Sequence, residues 1–177
     1  MKLFVTRHGE TTMNAAGLIS GRTNVELTEK GVSQAIETGE KLRECGIRRI
    51  ICSPMRRAQH TARLIAEQIG FDPAWIETDD RLIEQDYGTF EGQVWNMDFQ
   101  ENKGQFAKCY PGGESQMKVA GRIYPLLDEL KAAGGPPTLL VCHGGVIRVL
   151  RTYFEDMTNE EFTAFAMQNC AVLEYDL

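Results

Sequence analysis

At 177 residues the chain has the length of a single domain, and 42% hydrophobic with 25% charged residues is ordinary for a globular core. Its longest apolar runs, such as Leu139-Leu140-Val141-Cys142, fall far short of the roughly 18 residues that span a bilayer. Met1-Lys2-Leu3 leads into a strand-like run and not a signal peptide, so a cytoplasmic protein with no membrane partner is expected. A net charge of -6 argues against general affinity for nucleic acid, and any bound anion must be held by a local cluster of cations.

The five cysteines (Cys45, Cys52, Cys109, Cys142, Cys170) are odd in number, widely spaced and free of any C-x-x-C pair. Neither a disulfide framework nor a thiolate zinc site is indicated. With three histidines and no H-x-x-x-H or H-E-x-x-H spacing, no metal site and no cofactor are expected.

In chain order, Leu3 to Thr6 is a short strand that stops at Arg7-His8-Gly9. Val32, Ala35, Ile36, Gly39 and Leu42 recur at helical spacing after a cap at Thr28, with Gly46 as the stop, and Arg49 to Cys52 is a second strand ending at Ser53-Pro54. Ala58, Ala62, Ile65 and Ile69 mark a helix that ends at Gly70, and Trp75 to Thr78 reads as a short third strand. The stretch from Gly88 to Gly113 is polar with scattered aromatics and weak periodicity, a loop with one or two short helices. Val119, Ile123, Leu126, Leu127 and Leu130 form a helical stripe closed by Gly134-Gly135-Pro136-Pro137. Thr138 to Cys142 is the strongest strand, Gly144 to Phe154 the helix after it, and Ala171 to Tyr175 a last strand at a sheet edge. Alternating strands and helices with no dividing linker predict one α/β domain over residues 1–177, a three-layer fold with a mostly parallel sheet and helices on both faces.

In such sheets ligands bind beyond the carboxyl ends of the strands. The polar residues that follow each predicted strand form a consistent set: Arg7 and His8, then Ser53 and Arg57, then Glu84, then His143 with Gly144-Gly145. Two imidazoles, two guanidiniums and a carboxylate at one sheet edge suit phosphoryl transfer through a histidine. A transferring phosphoryl group spreads negative charge over three oxygens, which arginine answers with planar, bidentate donors. A neutral imidazole attacks phosphorus, and a nearby carboxylic acid protonates the leaving oxygen and then activates water.

Arg7-His8-Gly9-Glu10-Thr11 with Asn14 resembles the signature of the histidine phosphatase superfamily, the phosphoglycerate-mutase-like or RHG family. The likeness continues through Leu27-Thr28-Glu29-Lys30-Gly31, Ser53-Pro54-Met55-Arg56-Arg57-Ala58, Leu82-Ile83-Glu84 with Gly88 and Glu91-Gly92, Pro111-Gly112-Gly113-Glu114-Ser115, and Val141-Cys142-His143-Gly144-Gly145. Only residues 93 to 110 and the C-terminal tail lack a diagnostic match. The resemblance implies that His8 is the phosphorylated nucleophile, that Arg7, Arg57 and His143 clamp the phosphoryl oxygens, and that Glu84 is the proton donor. It further implies substrate contacts from Asn14, Gly21, Tyr87 and the Gly144 N–H, with no metal and a small-molecule phosphate ester as the partner. Arg22 and Ser115 rank below these; Arg56 and His60 read as surface residues.

Within the family, mutases carry a longer insertion between the acid motif and the final histidine. Here that region is short, and Asp86 adds negative charge where the mutase pattern has basic residues, so an open pocket and hydrolysis are expected. The run from His143 to Arg148 resembles that of α-ribazole phosphatases but is shared by other phosphatases, which leaves broad specificity open. Mutase-type transfer and a non-catalytic module that binds phosphorylated ligands are the alternatives. Specificity is expected to lie between Gln93 and Tyr110.

Overall fold

The computed structural model describes residues 1–177 and contains a five-stranded sheet in the order β3-β2-β4-β1-β5. Its strands are β1 (Lys2–Arg7), β2 (Arg49–Cys52), β3 (Glu77–Thr78), β4 (Thr138–Cys142) and β5 (Val172–Asp176). All neighbours pair in parallel except β5, which runs antiparallel along β1 at the edge. The helices are α1 (Thr12–Ala15), α2 (Glu29–Leu42), α3 (Arg56–Ile69), α4 (Met97–Lys103), α5 (Gln116–Ala133), α6 (Gly144–Arg151) and α7 (Asn159–Ala164).

The alternation of side chains along each strand divides the core into two layers. Leu3, Val5, Ile51, Leu140 and Cys142 face one way and pack with Val119, Ile123 and Leu127 of α5 and with Val146 and Leu150 of α6. Phe4, Ile50, Cys52, Leu139 and Val141 face the other way, against Leu42 of α2 and Ala58, Ala62 and Ile65 of α3. Strands buried on both sides read as continuous apolar runs, as in Leu139-Leu140-Val141-Cys142. The predicted three-layer architecture is the one observed.

Local signals act where they were read. Thr28 caps α2 by accepting from the Gly31 N–H at 3.0 Å, and Gly70 ends α3 in the left-handed conformation at φ 70°. Two boundaries differ from expectation. Pro73–Trp75 forms a one-turn 3-10 helix because Asp72 accepts from the Ala74 N–H and Pro73 occupies the first turn, so only Glu77 and Thr78 remain as strand. The helix after β4 ends at Arg151 and not Phe154, with Thr152 bonding back to the Val149 carbonyl. No helix is long and apolar enough to cross a membrane, and all five cysteines are free.

Candidate active site

Strand register creates the site. Arg7 pairs with Cys142 and Cys52 with Val141, so the next residues on three adjacent strands, His8, His143 and Ser53, emerge side by side. The His8 N–H extends the ladder to the Cys142 carbonyl at 3.0 Å, and the Ser53 N–H does so to Val141 at 2.9 Å. The His8 and His143 rings are consequently 5.1 Å apart, close to the spacing of neighbouring strands. Gly9 permits this turn: a β-carbon there would run into the Gly31 carbonyl at the start of α2.

The hydrogen bonds assign the tautomers. His8 Nδ1 lies 2.8 Å from the Gly9 carbonyl oxygen, which only accepts, so Nδ1 carries the proton and Nε2 a lone pair. Arg57 Nε donates to that lone pair at 3.1 Å and to His143 Nδ1 at 3.2 Å. His143 Nε2 then carries the proton and donates to Ser53 Oγ at 2.7 Å. Burial and the Arg57 charge hold both imidazoles well below the usual histidine range, so both are neutral at neutral pH.

Arg57, in the first turn of α3, is fully buried and spans this constellation. Its remaining donors reach the carbonyls of Thr23 at 2.8 Å and Gly21 at 2.6 Å. Glu91 fixes the loop that presents those carbonyls by accepting from the N–H groups of Arg22 at 2.7 Å and Thr23 at 3.0 Å. Gly21, like His8 and His143, is not among the residues lining the cavity, and its carbonyl accepts from Arg57.

Glu84 is buried against the start of α6. Its Oε1 accepts from Gln85 N–H at 2.7 Å and Val146 N–H at 3.1 Å, and its Oε2 accepts from Gly145 N–H at 3.2 Å. Asn14 caps its own turn: Oδ1 is taken by the N–H of Thr11 and by Asn169 Nδ2, leaving the amide donors without a protein acceptor.

A cavity of about 210 Å³ is walled by Arg7, Asn14, Glu84, Tyr87 and Gly144, with Trp95 and Phe99 of the unmatched segment beside them. His8 retains only 3% exposure and Arg57 and His143 none, so the cavity reaches Arg7 and Glu84 while the two imidazoles and Arg57 lie beneath its wall. Of the lower-ranked residues, Arg22 pairs with Glu114 at 3.0 Å and bonds the Glu84 carbonyl, Ser115 caps α5, and neither lines the cavity. No group of three or more His, Cys, Asp or Glu side chains is placed to share a metal ion.

The tail contributes what the sequence did not signal. The Met167 carbonyl accepts from Arg7 Nη1 at 2.6 Å, the Cys170 N–H donates to the Arg7 carbonyl at 3.0 Å, and Asn169 Nδ2 donates to the His8 carbonyl at 2.8 Å. Two of these act through the backbone, where residue type leaves no trace.

The model of the histidine phosphatase superfamily (branch 1) matches residues 3–177. The probable phosphoglycerate mutase GpmB of Salmonella paratyphi B is 31% identical over 99% of this chain and 85% of its own. Among solved structures, the mycobacterial glucosyl-3-phosphoglycerate phosphatase superposes with a TM-score of 0.85 at 28% identity, covering 98% of this chain and 88% of the other. A putative alpha-ribazole-5'-P phosphatase from Escherichia coli K-12 superposes with a TM-score of 0.83 at 25% identity, covering 98% and 89%. With its sheet-edge histidine pair, its buried arginine and a match over nearly its whole length, the chain belongs to the histidine phosphatase superfamily.

Proposed function

We propose that the protein hydrolyses a small-molecule phosphate monoester through a phosphohistidine at His8, without a metal ion. One observation carries this reading. His8 presents an unprotonated Nε2 beside a buried guanidinium, with its ring fixed by a 2.8 Å bond from Nδ1 to the Gly9 carbonyl.

In the first step Nε2 attacks phosphorus as the ester P–O bond breaks, and protonated Glu84 delivers its proton to the departing alkoxide. The Arg57 Nε–H that rests on the lone pair is freed to donate to a phosphoryl oxygen when nitrogen bonds phosphorus. Arg7, the Asn14 amide and the Gly144 N–H are the further donors for the equatorial oxygens, His143 flanks His8 with its one N–H given to Ser53 Oγ, and Tyr87 walls the leaving-group side. In the second step Glu84 as carboxylate takes a proton from water, the hydroxyl oxygen bonds phosphorus, the N–P bond breaks and inorganic phosphate leaves.

Hydrolysis is favoured over transfer because the cover between Glu84 and His143 is short: α4 has seven residues, and Trp95 at the cavity is half exposed, so water has a route in. The mycobacterial and Escherichia coli neighbours are named as phosphatases. Mutase-type transfer is the second reading, since the Salmonella relative bears a mutase name.

The experiment is an acid-quenched turnover with a labelled phosphate ester in excess EDTA. Label on His8 with steady release of inorganic phosphate is expected. Label elsewhere overturns the mechanism, transfer to added glycerate without net release favours the mutase, and turnover lost to EDTA and restored by a divalent ion overturns metal independence. Binding without turnover would identify a non-catalytic module.

A further inference from the structure

The two sides of the site are held by different parts of the chain. Arg57, beside His8, rests on the carbonyls of Thr23 and Gly21, whereas the Glu84 carboxylate is seated on the opening turn of α6. One side chain joins them. Arg22 stands between Gly21 and Thr23 in the chain and does not line the cavity. Its Nε donates to the Glu84 carbonyl at 3.3 Å, its Nη2 pairs with Glu114 Oε1 at 3.0 Å, and its Nη1 lies 3.8 Å from Asp86 Oδ2.

Both ends of this bridge are themselves fixed. Glu114 Oε2 accepts from the Asp86 N–H at 3.1 Å and from Arg122 Nη2 at 3.2 Å, and the Glu114 N–H donates to the Asp86 carbonyl at 2.9 Å. On the other side Glu91 takes the N–H of Arg22 at 2.7 Å. The two segments also touch directly, since a β-carbon at Gly21 would stand 3.0 Å from the Gln85 carbonyl. Ion pairs of a side chain that is 37% exposed contribute little to stability in water. A planar fork set on one short acid-bearing segment does fix geometry. Glu84 is thus gripped at both ends, by α6 at its carboxylate and by Arg22 at its carbonyl, and proton transfer to a leaving oxygen is sensitive to small displacements of the donor.

We propose that Arg22 is a positioning residue for the proton donor: its guanidinium locks the Glu84 main chain to the loop that supports Arg57, so that acid and nucleophile keep one separation across the bound ester. Arg22 does so without touching substrate. The proposal deepens the phosphatase reading and rests on it.

The test measures kcat and KM of Arg22→Gln, Arg22→Lys and Arg22→Gly on ethyl phosphate and on p-nitrophenyl phosphate, whose leaving group needs little protonation. In Arg22→Gln, kcat on ethyl phosphate is expected to fall about tenfold further than on p-nitrophenyl phosphate, with both KM values within about twofold of wild type. Arg22→Lys keeps the charge without the fork and should fall between. Because the side chain is partly open to solvent, guanidinium ion below denaturing concentration should restore part of the lost ester ratio in Arg22→Gly and leave that of the wild type unchanged.

Equal slowing of both esters would put the effect at Arg57 and overturn the proposal. A raised KM with kcat retained would make Arg22 a substrate contact and overturn it too. So would a lowered melting temperature with an unchanged ester ratio, the mark of a merely structural bridge. If the wild type hydrolyses neither ester, the phosphatase reading falls and this assignment falls with it.

Discussion

The Gly145 N–H donates to Glu84 Oε2 at 3.2 Å, and a β-carbon at position 145 would stand 2.7 Å from Glu84 Oε1 and press on the Tyr87 hydroxyl. The carboxylate is therefore seated on a turn of helix that only glycine leaves open. Gly145→Ala is expected to displace Glu84 and to destabilise the fold by about 1–3 kcal/mol through overpacking. It should slow alkyl phosphates roughly tenfold more than p-nitrophenyl phosphate, whose leaving group needs little protonation. Gly144→Ala is the comparison, since its β-carbon would meet Arg7 Nε at 3.5 Å, an ordinary contact. Kinetics on both ester types together with melting curves check this; a displaced Glu84 with an unchanged leaving-group ratio would remove it as the acid.

The two imidazoles make stability depend on pH in a defined direction. Burial, with Arg57 next, holds His8 and His143 well below 6.5 in the folded protein, whereas the unfolded chain titrates near that value. Between the folded and unfolded values the unfolded state binds more protons, so stability rises with pH and is lost as pH falls below about 6.5. The slope is up to about 1.4 kcal/mol per pH unit for each imidazole. Denaturant titrations across mildly acidic pH should show it, and His8→Gln should remove about half. A flat profile between roughly pH 5 and 6.5 would mean that the imidazoles are not held neutral.

Arg57 cannot be exchanged for lysine without loss, although charge is retained. Its Nε serves both imidazoles and its two terminal nitrogens serve the Thr23 and Gly21 carbonyls, a fork that a single ammonium cannot reproduce. Because the side chain is fully buried, Arg57→Lys is expected to destabilise by about 3–5 kcal/mol, as for a broken buried charge network. Phosphohistidine formation should slow by about 10² or more, in the range of a lost oxyanion donor. Rapid-quench labelling measures the step itself; labelling at the wild-type rate would place Arg57 outside the reaction.

How much of this was legible in the sequence depends on whether a residue acts through its side chain. The strand ends at Arg7, Cys52 and Cys142 follow from apolar runs that stop at polar residues, and strand register then brings His8, Ser53 and His143 together. Glu84 was found through its flanking motif, because one carboxylate among many carries no periodic signal. The contact that Gly21 makes in the structure is through its carbonyl, directed at Arg57, which its residue type does not encode. Trp95 and Phe99 come from a segment without periodicity, and their place on the cavity wall follows from how that segment folds over the sheet edge. The sequence of the tail signals only an edge strand. Its approach to the site depends on Met167 and Cys170 backbone atoms and on Cys170 taking φ 59°, the single positive value outside glycine.

Asn169 of that tail reaches the site through side-chain hydrogen bonds. Its Nδ2 donates to the His8 carbonyl at 2.8 Å and to Asn14 Oδ1 at 3.3 Å, so one amide ties the backbone of the proposed nucleophile to the residue proposed to hold phosphate. Asn169→Ala leaves the His8 carbonyl unpaired and releases Asn14 to rotate. A destabilisation of about 1–3 kcal/mol is expected from the unpaired group. KM for the phosphate ester and the inhibition constant of inorganic phosphate should rise together, by roughly three- to tenfold, as for a weakened hydrogen bond to an anion. The turnover number should change less, because the Nδ1 bond to the Gly9 carbonyl still orients the His8 ring. A fall in kcat with both binding constants unchanged would instead assign Asn169 to positioning His8, and would separate Asn14 from the phosphate site.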